Sequence, residues 1–507
     1  MFDSYTPQNP SHSTTDENDL GLNGRPAGWR NPQPSEPYHL LVIGAGPSGL
    51  VAARAAAALG VRVALIERHL LGGLALNYSA IPSQALIRTS RLYAEMRNAA
   101  VYGACTPPTI AVDFPLAMER MRRIRARLGH TDSAQHIAAE GIDLFFGTAR
   151  FVSTDTVEVD GQRLRFKKAL IATGSRAVMP TLPGLDDAGF LTNETLFNLT
   201  ELPASLLVIG GGPVGCEVAQ ALSRFGCRTI IAHSQPLFLP KEERDAAQLL
   251  AEALARDGVE VHLNTRAVNV RVEGGKKLVE TINDGSVATI TVDAILTGIG
   301  RRPALSGLNL EAAGVDYDPD RGVVVDDFLR TSNRRIFAVG DVCLEHQFID
   351  VAEASARIAV RNALCFGRAR LSALIIPWCT YTDPEIAHVG LYVRQARERG
   401  IPVTTYTVPM HEIDRAIIDG DESGFVKIHV RDGSDKILGA TVVARHAGEM
   451  INSLSQAMVA GIGLSTIANV VHAYPTQTEG IKKAALAYSK TSPPRWQTWL
   501  RRWWLSR

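Results

Sequence analysis

From residue 38 onward, short apolar runs alternate with glycine turns and with longer stretches whose apolar positions recur every three or four residues. YHLLVI, residues 38 to 43, is a nearly unbroken apolar run, as expected of a strand covered on both faces of a parallel sheet. GAGPSG follows, then an alanine-rich stretch that predicts a helix, then VALIE, a second apolar strand ending in an acid. The same order returns at Ser205 with SLLVIGGGPVGCEVAQALSRFGCRTIIAHS. Strand, glycine turn, helix and strand form the wrap of a βαβ unit, so two copies predict two parallel-sheet domains, each built to hold a nucleotide. Between the copies lie an arginine-rich helical stretch, residues 118 to 128, and LIATGSRAVMPTLPG, where Pro180 and Pro183 suit a crossing between domains. From roughly Leu371 the strand-like runs TYTVP, FVKIHV and ILGATVV, with two helical runs, predict a mixed α+β region.

Composition narrows the classes. With 507 residues, 46% hydrophobic and 21% charged, the chain is long enough for several globular domains. A net charge of +1 gives no overall field to gather nucleic acid. The six cysteines, at 105, 216, 227, 343, 365 and 379, show neither C-x-x-C nor metal-ligand spacing. A disulfide framework and a zinc site are thereby unexpected, and a reducing cytoplasm is the expected compartment. Residues 1–37, rich in Pro, Ser, Asn and Asp without an apolar period, read as a disordered leader with no signal-peptide pattern. No uninterrupted apolar run is long enough for a transmembrane helix.

The glycine turns carry the chemistry. Gly44, Gly46 and Gly49 follow a strand and open a helix, which allows a tight turn, approach of a diphosphate to the backbone, and close packing of helix on strand. Glu67 closes the next strand, where a carboxylate can accept both hydroxyls of an adenosine ribose. The second set is Gly210, Gly212 and Gly215, but its following strand ends in Ala232, His233 and Ser234. An acid there would repel a 2′-phosphate, so its absence favours NADPH, although no arginine stands in its place.

The ordered set GAGPSG, LGGLALNYSAIPSQAL, ATGS, GGGPVGCE, GIGRRP, AVGDV, WCTYTDPEIAHVG and AYPTQTEGIKKAA resembles the pyridine nucleotide-disulfide oxidoreductases, from about residue 38 to 490. The phrase from Trp378 to Gly390 is nearest to mercuric reductase-like members. The resemblance implies an α/β fold with two Rossmann-like dinucleotide-binding domains, for FAD and NAD(P)H, plus a C-terminal α+β dimerisation domain. The expected parts are FAD-binding segments over 38–181 and 302–372, an NAD(P)H-binding domain over 182–301 and a dimerisation domain over 373–490. It further implies a homodimer whose active site is shared between subunits. FAD would be held by the first glycine set with Ser48, Glu67 and Gly73, by Thr173 and Gly174 along its length, and by Asp341 at its ribityl or phosphate region. NAD(P)H would be held by the second set with His233 and Gly300, and Glu217 would sit beside nicotinamide and flavin.

The departures from that family matter more. Where it carries C-x-x-x-x-C, this chain has Ala75 and Ala80, and alanine offers neither a nucleophile nor an electron-accepting sulfur. Disulfide reduction is thereby unexpected, and so is reduction of Hg(II), a soft ion held by thiolates. The family's lysine after I-P-S, the partner of the glutamate at 217, is Gln84, which removes a cation from beside the flavin. In H-P-T-x-x-E the histidine is Tyr474 while Glu479 remains, and tyrosine is a poor base at neutral pH. The expected activity is hydride transfer from NAD(P)H to FAD, then direct reduction of a small acceptor, quinone-like by preference, with Glu217, Tyr474 and Glu479 as the catalytic set. The alternatives are a catalytically weakened flavoprotein that binds or senses, and a pyridine nucleotide transhydrogenase. The tail, residues 491–507, has four tryptophans and four arginines and no acid. As a helix it would put Trp496, Trp499, Leu500, Trp503 and Trp504 on one face, a pattern suited to anionic lipid at the inner face of a membrane, or to docking on the dimer.

Overall fold

The computed structural model describes residues 23–34, 36–491 and 504–505, which divide into two compact units. The first takes the described part of Met1–Ala85 with Pro115–Ala177 and Gly300–Ser372. Its parallel strands run in the order Ile142–Phe146, Val63–Glu67, Tyr38–Ile43, Gln162–Ile171 and Ile336–Ala338. Gln162–Ile171 also pairs antiparallel with Thr156–Val159, which continues to Ala149–Ser153. The apolar runs seen in the sequence become the buried centre of this sheet, with Leu41, Phe145, Phe151 and Ile171 fully enclosed. Helix Pro47–Ala57 buries the small side chains Ala52, Ala53 and Ala56, and its first-turn proline costs no hydrogen bond because that N–H has no helical acceptor.

One sequence expectation is corrected in this unit. The disordered leader does not reach residue 37, because residues 23–34 pack on the unit. Buried Asn23 accepts the Leu71 N–H at 2.7 Å through its carbonyl, and Trp29 meets Phe146 edge to face at 5.6 Å. A composition reading averages over the whole segment and passes over a few anchoring side chains.

The second unit takes Leu86–Phe114, Val178–Ile299 and the described part of Ala373–Arg507. It holds a parallel sheet in the order Glu260–His262, Arg228–Ala232, Ser205–Ile209 and Ala294–Thr297. An antiparallel sheet of Thr265–Glu273, Lys276–Asn283 and Ser286–Val292 is a second layer. The C-terminal sheet runs Pro377–Thr380, Glu385–Gly390, Ile437–Ala444, Phe425–Arg431 and Val403–Pro409. Helices Ala447–Val459 and Glu479–Thr491 place Met450, Leu454, Ile481 and Ala484 in its core.

These boundaries differ from the expected ones. Residues 86–114 group with the second unit rather than with 38–181, because Tyr93 and Phe114 both pack on Phe225, Tyr102 donates to the Asp419 carbonyl, and Glu95 pairs with Arg445. Segment 182–301, up to Ile299, and segment 373–490 fall in one unit, and polar groups tie them together. Trp378 and Tyr392 both donate to Glu242, Lys427 and His429 meet Glu243, and Arg224 meets Asp383 at 2.9 Å.

Candidate functional site

In the first unit the chain leaves Tyr38–Ile43 at Gly44, with φ of +104°; a Cβ there would sit 2.4 Å from the Ala172 carbonyl oxygen. A Cβ on Gly49 would sit 1.8 Å from the Gly44 oxygen. Only glycine satisfies both positions. Gly46 precedes the helix with no side-chain cap, and a Cβ there would meet nothing nearer than Gly73 at 3.8 Å. This open, uncapped helix start is where a diphosphate can approach. Glu67 accepts the Ala45 N–H through Oε2 and the His69 N–H through Oε1, both at 2.8 Å, and the remaining lone pairs can take ribose hydroxyls. Gly73, at φ +57°, faces Gly46, and Ser48 is buried beside Gly340.

At the ends of Gln162–Ile171 and Ile336–Ala338, Thr173 Oγ1 donates to the Ala304 carbonyl at 2.8 Å and the Gly174 carbonyl accepts the Ala304 N–H at 2.9 Å. Asp341 Oδ2 accepts the Ser175 hydroxyl at 2.6 Å, and Arg301 Nε donates to the same Ser175 oxygen at 2.9 Å. Ser175 and Arg301 are absent from the sequence-derived set, although both lie inside its motifs, ATGS and GIGRRP. Gly300, at φ +116°, precedes Arg301 in this unit.

The second unit repeats the loop. Gly210 has φ of +112° and a Cβ there would be 2.4 Å from the Gly298 oxygen; one on Gly215 would be 2.4 Å from the Gly210 oxygen. Gly212 precedes helix Pro213–Phe225 with no side-chain cap, and nothing lies within 4 Å of a Cβ built on it. His233 stands where Glu67 stands in the first loop. Its Nδ1 accepts the Gly211 N–H at 3.2 Å, so the ring proton sits on Nε2, a buried atom with no partner among the described residues.

On the same helix Glu217 is 8% exposed, and its Oε1 accepts the Tyr381 N–H at 2.9 Å. It makes no ion pair among the described residues. Burial, opposed by the Tyr381 bond and aided by the charge of Glu385, pushes its carboxyl up to about 7. Glu385 behaves alike. It accepts the Gly448 N–H at 3.0 Å and lies 3.8 Å from Arg91, yet burial pushes its carboxyl up to about 7. Glu385 is a group the sequence reading missed, because a lone acid after D-P carries no signal of burial.

Tyr474 is 70% exposed, and its hydroxyl donates to Asp414 Oδ2 at 2.7 Å, a bond that holds the phenol in its protonated form. Glu479 has one oxygen 3.5 Å from Lys483, while Oε2 is buried without a partner among the described residues. Asp414, sixty residues from Tyr474 in the chain, could not be foreseen as its partner.

Ala75 lies in helix Gly73–Asn77, and Ala80 opens helix Ala80–Arg97. All six cysteines are free. Burial pushes the thiols of Cys216, Cys343 and Cys379 well up and that of Cys227 to about 11, and each is turned to a backbone carbonyl. These are inert thiols. Cys105 and Cys365 are exposed.

Two nucleotide loops of this form, in this order, precede the C-terminal sheet, and residues 38–362 match the model of the pyridine nucleotide-disulphide oxidoreductases, while 376–485 match that family's dimerisation domain. The chain belongs to this family. It is 31% identical over 453 residues to a mercuric reductase from Bacillus cereus, covering 89% of this chain and 72% of that one. A dihydrolipoyl dehydrogenase from Geobacillus stearothermophilus is 34% identical over 452 residues, 88% of this chain and 95% of that one. Among solved structures, the HOCl-induced flavoprotein disulfide reductase RclA from Escherichia coli superposes with a TM-score of 0.80 at 29% identity, covering 89% of this chain and 99% of that one. LpdA from Mycobacterium tuberculosis gives 0.81 at 28%, covering 88% and 99%.

As a family member the protein is an FAD-dependent pyridine nucleotide oxidoreductase, and its dimerisation domain supports a homodimer. The two uncapped helix starts and the Glu67 carboxylate fit these cofactors. No helix among the described residues is long and apolar enough to cross a membrane. The tryptophan-rich tail lies outside the described residues apart from Thr491, Trp504 and Leu505, the last two exposed.

Proposed function

We propose that electrons leave the flavin of this oxidoreductase directly for a small non-disulfide acceptor, with a quinone-like molecule favoured. The observation that carries the reading is Ala75 and Ala80 at the two positions where the family places its redox cysteines, together with four buried or half-buried thiols held far from thiolate. A relay through sulfur, or capture of Hg(II), needs thiolates that these residues do not provide. Bound FAD supplies the ring that takes hydride from the nicotinamide and hands electrons on. The second glycine loop holds the nicotinamide nucleotide. Glu217 closes the nicotinamide side and exchanges a proton near neutral pH, while Tyr474 and Glu479 shape the acceptor side across the dimer. The His233 Nε2 proton suits a phosphate oxygen where a carboxylate would repel it, which favours NADPH over NADH.

The test is steady-state turnover with NADPH and NADH against quinones, oxygen, oxidised glutathione, lipoamide and Hg(II). Turnover with quinones and none with the disulfides or mercury supports the reading, and efficient disulfide reduction overturns it.

A second reading has its own observation. Glu217 is buried with no ion pair among the described residues, and Gln84 stands at the family's lysine position, so flavin reduction itself is slowed and the protein binds or senses instead. Anaerobic stopped-flow with NADPH separates the two, since a flavin that stays oxidised marks the binder. Exchange of label between NADPH and NAD would mark a transhydrogenase. The tail is proposed to touch anionic lipid, and loss of liposome co-sedimentation on removing residues 491–507 tests that.

A further inference from the structure

The family match begins at residue 38, yet residues 23–34 make specific contacts with the first unit. There are two anchors. At the first, the buried Asn23 carbonyl accepts the Leu71 N–H at 2.7 Å, and the Asn23 side chain lies so close over Gly129 that a Cβ there would be 2.3 Å from Nδ2. Leu71 is itself fixed to the nucleotide loop. Its carbonyl accepts from Asn77 Nδ2 at 3.0 Å, and the next residue, Gly72, donates its N–H to the Ala45 carbonyl at 2.9 Å. Ala45 is the residue whose N–H Glu67 accepts.

At the second anchor, Asn31 mimics a neighbouring strand. Its Nδ2 donates to the Phe146 carbonyl and its Oδ1 accepts the Phe146 N–H, both at 2.9 Å, while Trp29 packs edge to face on the Phe146 ring. Ile142–Phe146 is the outer parallel strand of the sheet, and Phe146 lies directly opposite Glu67. Gly147 donates its N–H to the Glu67 carbonyl at 2.9 Å. The segment therefore covers an open strand edge next to the carboxylate that meets the ribose, and grips the loop that meets the diphosphate. Asn23 Oδ1 and Trp29 Nε1 are buried with no hydrogen-bond partner among the described residues.

We propose that residues 23–34 are a strap that holds FAD in the first dinucleotide site by fixing Ala45 and Glu67 from outside the family's own domain. Asn31 and Asn23 are positioning residues, acting through Phe146 and Leu71. The proposal rests on the family's assignment of FAD to this site. It makes cofactor retention, and not hydride transfer, the property that the strap controls.

The test measures FAD release from the purified full-length dimer by the rise of free-flavin fluorescence after dilution, and NADPH affinity in parallel. Asn31→Ala removes both hydrogen bonds and is expected to speed FAD release by roughly tenfold or more, with NADPH affinity unchanged. Asn31→Asp, which keeps the acceptor but sets a carboxylate oxygen against the Phe146 carbonyl, is expected to speed release at least as much as alanine, and it serves if the alanine variant fails to fold. Release within twofold of the parent in both variants overturns the strap, as does an equal loss of FAD and NADPH binding, which marks general destabilisation. Absence of flavin from the parent protein would overturn the nucleotide assignment and the strap with it.

Discussion

The two glycine loops use one construction and finish it with different chemistry. In both, a residue at the end of the second strand accepts the N–H of the residue after the first glycine: Glu67, the last of its strand, from Ala45, and His233, the next after its strand, from Gly211. Both loops open a proline-led helix with no side-chain cap. After that shared bond, the Glu67 carboxylate keeps lone pairs for further donors, whereas His233 has spent its acceptor nitrogen and offers only a proton. On the function proposed above, the shared scaffold would serve a dinucleotide in each loop, and the strand-end residue would set which kind.

The hardest way to break the comparison is at the glycines. Gly49→Ala forces a Cβ to 1.8 Å from a backbone oxygen and is expected to destabilise the protein by roughly 3 kcal/mol or more, with loss of flavin, as read by chemical denaturation and visible absorbance. Gly215→Ala meets a softer clash at 2.4 Å and should leave flavin in place while its reduction by NADPH slows by roughly a hundredfold. If both variants lose flavin equally, the two loops do not serve separate ligands.

Glu217 sharpens the contrast between a carboxylate held by two backbone N–H groups, Glu67, and one held by a single N–H in a dry setting. Folding raises the Glu217 carboxyl from the ordinary glutamate range to about 7, so its proton is bound more tightly when folded, and stability falls as pH rises through that window. Glu217→Gln removes this cost. It is expected to raise stability at pH 8 by about 2–3 kcal/mol and to leave it nearly unchanged at pH 4, as read by denaturant titration at both values. Equal effects at the two pH values would contradict a shifted carboxyl.

Two smaller effects address the strand ends themselves. Glu67→Ala should weaken FAD binding by about 1–3 kcal/mol, measured by titrating apoprotein with FAD. His233→Asp should move the kcat/KM ratio toward NADH by roughly tenfold, through repulsion of the 2′-phosphate and acceptance of a free hydroxyl. An unchanged ratio would mean that His233 does not face the ribose.

Much of this was legible in the sequence because the determining signals are local. A glycine at +104° leaves no other choice at its position, and apolar runs such as LLVI read directly as central strands. The missed features are those made by residues far apart in the chain. Asp414 under Tyr474, Glu385 beside Gly448, and the Ser175–Arg301 support of Asp341 exist only once the strands are assembled. The leader shows the same limit, since Asn31 looks like any loop asparagine until its amide meets Phe146. Domain boundaries moved for a similar reason, because Tyr93, Phe114 and Glu95 find their partners in the second unit.

Counting electrons tests the absence of a sulfur relay most directly. In an anaerobic titration of the holoprotein with NADPH, flavin absorbance should bleach fully at about one equivalent per FAD, because the isoalloxazine is then the sole two-electron centre. Consumption of about two equivalents before reduction is complete would reveal a second two-electron acceptor in the protein, and would contradict direct transfer from flavin to substrate.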